Sequence, residues 1–374
     1  MKRLLSFIFT ALVAVTASAQ FADGYYRLQC AETGRFLAVH NKYVNTESAK
    51  ITGQVSLQSL ETIADFNNVV NDPGSIIYLR STAAGWVIES QGFTTDGRNM
   101  YLQFTADGDG YLLWTTITYQ GAEYTRYLRD YEEEPGYSYI TSDATKSTYR
   151  HWRVLPVEGD NYFGLKGETK VGESYYTTFF AAFPIQLGSG MTAYAVNSLT
   201  NNSCKLQEIG SVVPKMTPAV IACAGQDAAS NKVTLLTESP TTGEDNALAG
   251  VIFCHPELYP SGAEDRDNPA WNCVDYNPEI MRVIGDNEGK LAFITASDLK
   301  YMPANKSFLP VAAGSAAIIT TDGSTTGIKG IQANQTNQAG QATGTYTLSG
   351  VRVPDNVTPQ KGIYIENGKK VVKK

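Results

Sequence analysis

The sequence predicts an all-β protein. Three observations carry that prediction. The chain holds 22 tyrosines and 33 glycines in 374 residues. Its apolar residues fall in short runs with strand-like alternation, and glycine-bearing turns separate those runs at close spacing. A single segment, Ala296-Ser297-Asp298-Leu299-Lys300, reads as the start of a helical turn. The formal net charge of −7 argues against nucleic acid or anionic lipid as partner.

Taken in order, residues 1–19 form the first element. Lys2 and Arg3 precede an apolar run from Leu4 to Val15, and Ala17 and Ala19 stand before Gln20, the pattern of a secretory signal peptide. The run is too short for the roughly 20 residues that span a bilayer, so no transmembrane segment is expected after cleavage. The mature chain of about 355 residues is long enough for two domains and a smaller segment. It is expected to be secreted or on the outer cell surface, or in the periplasm if its tail is not a sorting signal.

Residues 20–158 repeat a rhythm of strand, glycine turn and strand. Gly24–Cys30 leads through Gly34 to Arg35–Val39, a hairpin whose turn needs the positive φ that glycine supplies. Ile76–Arg80 passes through Ala84-Gly85 to Trp86–Ile88, and Tyr101–Phe104 passes through Asp107–Gly110 to Tyr111–Trp114. A last unit runs from Arg126–Leu128 to Arg150–Leu155. Short strands in repeated hairpins favour a closed architecture, which removes sheet edges. Gly24-Tyr25-Tyr26-Arg27-Leu28 with Gly34-Arg35-Phe36-Leu37 resembles the opening of ricin-type β-trefoil lectin repeats. Arg150-His151-Trp152 stands where the closing Gln-x-Trp of such a repeat falls, with arginine in place of glutamine. The resemblance implies a β-trefoil-like domain and carbohydrate binding.

Residues 159–323 continue with apolar runs at Asn161–Leu165, Tyr175–Phe180, Met191–Val196, Pro218–Ala222, Lys232–Leu236, Met281–Ile284 and Ala316–Ile319. That spacing suggests a β-sandwich or a related all-β domain. The combination of Tyr175–Phe179, Phe183-Pro184, Gly190–Tyr194, Thr217–Ile221 and Met302–Lys306 is similar to a module recurring in secreted proteins of gut and oral Bacteroidetes. Residues 324–344 are poor in bulky apolar groups and read as a flexible linker. Residues 345–374 read as a small β-hairpin segment, with Asn367-Gly368 as its turn. The spacing of Leu348–Val353 from Lys361–Tyr364 and the terminal Lys373-Lys374 resembles the short C-terminal sorting segments of Bacteroidetes proteins, those of the type IX system included.

Five cysteines, Cys30, Cys204, Cys223, Cys254 and Cys273, leave an odd thiol in an oxidising compartment. Cys204 and Cys223 read as small core residues. Cys254 and Cys273 bracket a long proline- and glycine-bearing stretch and are the candidate disulfide, whose loop closure is worth about 3 kcal/mol. The spacing supports no thiol-bound zinc, since it contains no C-x-x-C.

No catalytic or metal-binding residue is assigned, and no cofactor. His40, His151 and His255 lie in neither a His-Glu-x-x-His nor a Gly-x-Ser-x-Gly motif. Asp130-Tyr131-Glu132-Glu133-Glu134 is a solvated turn or the rim of a polar ligand site, with Asp130 its first carboxylate. Asp107–Gly110 and Glu264–Asn268 place oxygens at alternate positions as calcium loops do, without the glutamate that completes an EF-hand. Aromatic rings stack on the C–H faces of sugars, which makes Trp86, Trp114, Tyr137 and Tyr139 the candidate ligand-binding residues beside Asp130. The expected function is that of a non-enzymatic binding protein for glycan or a host or neighbour cell-surface component. The alternatives are a structural or adhesive surface protein on a degenerate trefoil scaffold, and a glycoside hydrolase with a carboxylate pair that motifs do not reveal.

Overall fold

The computed structural model describes residues 21–40, 60–63, 66–95, 101–130, 138–141, 148–241, 245–254 and 274–321, and in the tail 345–347, 352–353, 362–366 and 369–373. The signal-like residues 1–19, the linker and the stretch 255–273 lie outside the described residues. The protein is all-β, with one helical turn at Phe66–Val69 and short 3-10 turns among the described residues. Two compact units are present, Met1–Thr325 and Thr326–Lys374.

The N-terminal part of the first unit contains β1 (Gly24–Cys30), β2 (Phe36–Val39), β3 (Leu60–Ile63), β4 (Ile77–Thr82), β5 (Gly85–Ser90) and β6 (Phe93–Thr94). It continues with β7 (Gln103–Asp107), β8 (Gly110–Tyr119), β9 (Ala122–Asp130), β10 (Ser138–Thr141) and β11 (His151–Pro156). The first half of β1 pairs with β4, from Gly24↔Leu79 to Tyr26↔Ile77, and its second half with β11, from Tyr26↔Pro156 to Cys30↔Trp152. β4 pairs with β5, β7 with β8 and β8 with β11. Mutual 2.8 Å hydrogen bonds between the backbones of Trp86 and Leu102 join β5 to the approach of β7. The ring β1-β4-β5-β7-β8-β11 is thereby closed. Between its successive strands the chain leaves the ring three times, as β2–β3, as β6 and as β9–β10.

Ring closure follows from the side-chain pattern. Leu28, Leu79, Ile88, Leu102, Phe104, Leu113 and Trp152 point inward into one cluster, while alternate residues face out. Trp152 is fully buried and its indole N–H donates to the Leu128 carbonyl at 3.1 Å, so the bulkiest core residue leaves no polar atom unsatisfied. Gly34 adopts φ 71° in the β1–β2 turn, as its place in the repeat requires.

The rest of the first unit has two layers. A ten-stranded sheet runs Thr169–Val171, Ser174–Phe179, Ala219–Cys223, Thr192–Asn197, Ser203–Gly210, Ile318–Thr321, Lys290–Ile294, Met281–Asn287, Lys306–Pro310, Ala249–Val251. Its sole parallel pairing among the described residues is Ser203↔Thr320 with Cys204↔Thr321. The sheet curls until Ser174–Phe179 meets Lys306–Pro310. There Ser307 donates its amide to Thr178 Oγ1 and its hydroxyl to the Phe179 carbonyl, each at 3.0 Å. A four-stranded sheet of Phe163–Gly164, Lys232–Leu235, Ile185–Gln186 and Val212–Val213 covers its outer face. Ala193, Ala219 and Ile221 pack against that small sheet, and Tyr194, Val196 and Val220 pack inside the curl against Phe293, Leu309 and Ile319. Strands buried on both faces read as unbroken apolar runs, which is why Ala219–Ile221 lacks polar alternation.

Ala296–Lys300 forms bends and no helix. Its backbone belongs to a small satellite cluster in which Ala296 and Leu299 pack on Tyr276, and the Ala296 amide donates to the Tyr276 hydroxyl at 2.9 Å. A helical turn there would withdraw that donor. Cys254 is buried in the same cluster, and Cys273 lies outside the described residues, as does the candidate pairing of the two.

The second unit is a sheet ordered Arg352–Val353, Thr345–Thr347, Gly362–Glu366, Lys369–Lys373. Glu366 pairs with Lys369, the register of a two-residue turn. Tyr346 pairs with Arg352 in a second antiparallel pairing.

Candidate functional site

A cleft of about 540 Å³ opens where the ring's β1, β4 and β5 face the second layer of the first unit. Its floor is set by cross-strand register. Tyr25 on β1 lies opposite Tyr78 on β4, Tyr78 opposite Glu89 on β5, and Glu89 opposite Thr94 on β6. One side chain from each of four adjacent strands therefore faces the cleft, because residues in register share a face. The intervening residues Ile77, Leu79 and Ile88 point the other way into the ring core. The sequence alternation that builds the barrel thus builds the site on its outer face.

The Tyr25 and Tyr78 rings lie 4.9 Å apart at 54°, and Tyr25 also meets Phe183 of the opposite wall at 6.0 Å. Arg80, two residues after Tyr78 and on the same face, donates from Nε to Glu89 Oε1 at 3.0 Å. Burial raises the Tyr25 phenol above its ordinary value, with the Tyr78 and Glu89 charges adding to it. The Tyr78 phenol is raised by burial as well. Both stay protonated at neutral pH and present O–H donors beside aromatic faces.

The far wall comes from Ala182–Pro184 and from Lys215 and Met216. Met216 is 52% exposed with φ 56°, and its amide donates to the Ala181 carbonyl at 2.8 Å. The Lys215 amide donates to Ser239 Oγ at 3.0 Å. Those two bonds pin a segment that leaves an apolar side chain in the opening. At the rim Gln91, with φ 51°, is only 3% exposed. Its Oε1 accepts from the Ala182 amide at 3.4 Å, and its Nε2 is buried without a hydrogen-bond partner.

The residues singled out from sequence lie elsewhere. Trp86 sits in an aromatic group at one end of the ring, 5.9 Å from both Phe21 and Phe104. Trp114 on β8 is half-buried and donates its indole N–H to Thr105 Oγ1 at 2.9 Å. Asp130 is fully buried and accepts from Arg35 Nε at 2.7 Å and Thr33 Oγ1 at 2.6 Å, which places it in a tie between β9 and the β1–β2 turn. Tyr137 lies outside the described residues, and of Tyr139 only the backbone pairing with Arg129 is described. Neither Trp86, Trp114 nor Asp130 lines the cleft. Sequence reasoning passed over Tyr78, Arg80, Glu89 and Gln91. The available signal was Tyr78-Leu79-Arg80, a strand with polar residues outward on both sides of a core leucine.

A second polar cluster bridges three turns of the ring. His151 Nδ1 contacts Glu32 Oε1 and its Nε2 lies 2.9 Å from Asp107 Oδ2. The bond to Glu32 raises the imidazole above its ordinary value, and the bond to Asp107 adds to it. The Glu32 carboxyl is lowered by the same contact against the opposing effect of its burial. The Cys30 thiol, pushed up to about 11 by burial, donates to Glu32 Oε2 at 3.3 Å. A thiol at that value is protonated and unreactive at neutral pH. No group of three or more His, Cys, Asp or Glu side chains among the described residues is arranged to hold a metal ion.

Comparison with protein-family models, curated proteins and solved structures finds no match to the chain.

Proposed function

We propose that the chain is a secreted or cell-surface binding protein without catalytic activity, and that it recognises carbohydrate in the cleft between β1, β4 and β5 and the wall around Met216. The observation that carries this reading is the Tyr25–Tyr78 pair, two neutral aromatic side chains side by side on the cleft floor, flanked by the Arg80–Glu89 pair. Sugar rings present C–H faces to aromatic groups and hydroxyls to planar charged groups, and this floor offers both. A glycosidase places two carboxylates across the scissile bond, whereas Glu89 is the one carboxylate lining the cleft among the described residues. The partner is then a glycan of a host or neighbouring cell surface, and the tail serves delivery to that surface.

The test is a glycan array probed with the full chain beside Tyr78→Ala. The reading expects signals that fall at least about tenfold in the variant, in line with loss of a central aromatic contact. An array that stays blank favours the adhesive or structural reading, in which the ring is a scaffold for protein contacts.

A further inference from the structure

We propose, resting on the saccharide reading of this cleft, that its ligand is a sugar carrying a carboxylate, of the uronic or sialic type, recognised by Gln91 and Lys215. The decisive group is the Gln91 amide. It is 3% exposed, held in the left-handed region by φ 51°, and its oxygen is engaged by the Ala182 amide, so Nε2 is the end left over. Buried amide donors without a partner are rare in folded proteins; Nε2 is shielded in this conformation, and a turn of the Gln91 amide towards the cleft it lines brings this donor to a ligand oxygen. Tyr25 and Tyr78, whose phenols are protonated at neutral pH, add O–H donors on the floor.

The charges point the same way. Glu89 is already paired with Arg80, whereas Lys215, exposed at the cleft wall, takes part in no ion pair among the described residues. The residues lining the cleft thus carry two cations, Arg80 and Lys215, against one carboxylate, Glu89, with Asp23 acting on Tyr78 from beyond the lining. Donors and a cation without a matching acceptor are complemented by an anionic oxygen-bearing group, and a carboxylate on a sugar ring supplies it while leaving the C–H face for the tyrosines. A cationic ligand would meet Lys215 unfavourably and leave Gln91 Nε2 unpaired.

The experiment is isothermal titration calorimetry on the full chain with trigalacturonate, sialyllactose, maltotriose and lactose, at low and high salt. The proposal expects one of the two carboxylate sugars to bind at least about tenfold more tightly than both neutral ones, with affinity falling as salt rises. Which of the two wins separates the uronic from the sialic source. Lys215→Gln, at an exposed position that does not endanger folding, should weaken that ligand about fivefold and flatten its salt dependence. Gln91→Met should weaken it further, with thermal melting run beside it. Equal affinity for neutral sugars, or unchanged binding by Lys215→Gln, overturns the carboxylate inference and leaves the saccharide reading standing. No heat with any of the four sugars, together with a blank glycan array, overturns both.

Discussion

The two parts of the first unit reach a closed β-architecture by opposite means. In the ring of β1, β4, β5, β7, β8 and β11, strands bury one face, and the turns are tied to one another by charged side chains: Arg35 to Asp130, and His151 to Glu32 and Asp107. In the curled sheet that follows, the central strands bury both faces and pack around Phe293, which is fully buried, while the seam where the curl meets itself is held by neutral hydrogen bonds of Ser307 beside the Lys306–Glu168 pair. A ring whose outer face stays wet keeps positions for function, and the cleft floor of Tyr25, Tyr78 and Glu89 is placed there. A doubly buried sheet has no such face to spare in its centre.

The contrast sets what each part tolerates. The largest effect is expected from Phe293→Ala, which removes a fully buried ring and should cost about 4 kcal/mol in a urea unfolding experiment. A loss below about 1 kcal/mol would show that the curl is not held by its core. Next comes Asp130→Asn in the ring. It leaves Arg35, 8% exposed, facing a neutral group, and should cost about 3 kcal/mol measured the same way. An Asp130→Asn protein as stable as the parent would erase the distinction between the two modes of closure.

Tyr78→Ala sharpens the comparison from the functional side. Its ring is half-buried on the outer face, so stability should change little while saccharide affinity falls about tenfold. Equal losses in both would make Tyr78 a packing residue. The smallest effect is expected from His151→Asn, under about 1 kcal/mol after solvent screening, and it carries a pH signature. His151 is raised when folded, so its stabilisation is complete below the ordinary imidazole value of 6.5 and fades as pH climbs through the folded value. Glu32 is lowered when folded, so its share is present above 4.5 and fades as pH drops through its folded value. The melting-temperature gap between parent and His151→Asn should therefore be widest between about pH 4.5 and 6.5 and narrow as pH climbs through the raised folded value of His151. A gap independent of pH would mean that His151 acts by packing alone.

Much of the fold is legible in the sequence because period-two alternation and glycine turns are local signals. Gly34 marks the first turn, and the turn at Gly108, φ 62°, lies inside the Asp107–Gly110 run. The long β8–β9 hairpin is harder to see, since its outer half is exposed and its turn is Gln120-Gly121, both at positive φ, where asparagine is the familiar first residue. Lys290–Ile294 and Lys306–Pro310 are short and lie between turns that dominate the local composition. The candidate site is the least legible part. Tyr25 and Tyr78 are 53 positions apart in numbering and meet through register, and the wall that completes the cleft around Lys215 and Met216 comes from beyond the ring. Aromatic content alone drew attention to Trp86 and Trp114, which the ring uses for packing and for a cross-strand hydrogen bond.

Arg27 joins the two parts. It is fully buried, and its guanidinium donates to Ser75 Oγ and the Val69 carbonyl on one side and to Asn161 Oδ1 and the Asn161 and Tyr162 carbonyls on the other. Burial lowers its pKa to about 10, still far above neutrality, so the cation persists.

The parallel pairing of Ser203 with Thr320 imposes an order of assembly. As the chain becomes available from its N-terminus, the ring can close once Pro156 can pair with Tyr26, whereas the curled sheet waits for Thr320. Until then Ser203–Gly210 is paired on one side alone, with Thr192–Asn197, and a closure spanning more than a hundred residues is slow because loop entropy is lost before the contacts form. The N-terminal ring is therefore expected to fold first and to offer a finished surface to the later sheet, with Arg27 in position to donate to the carbonyls of Asn161 and Tyr162.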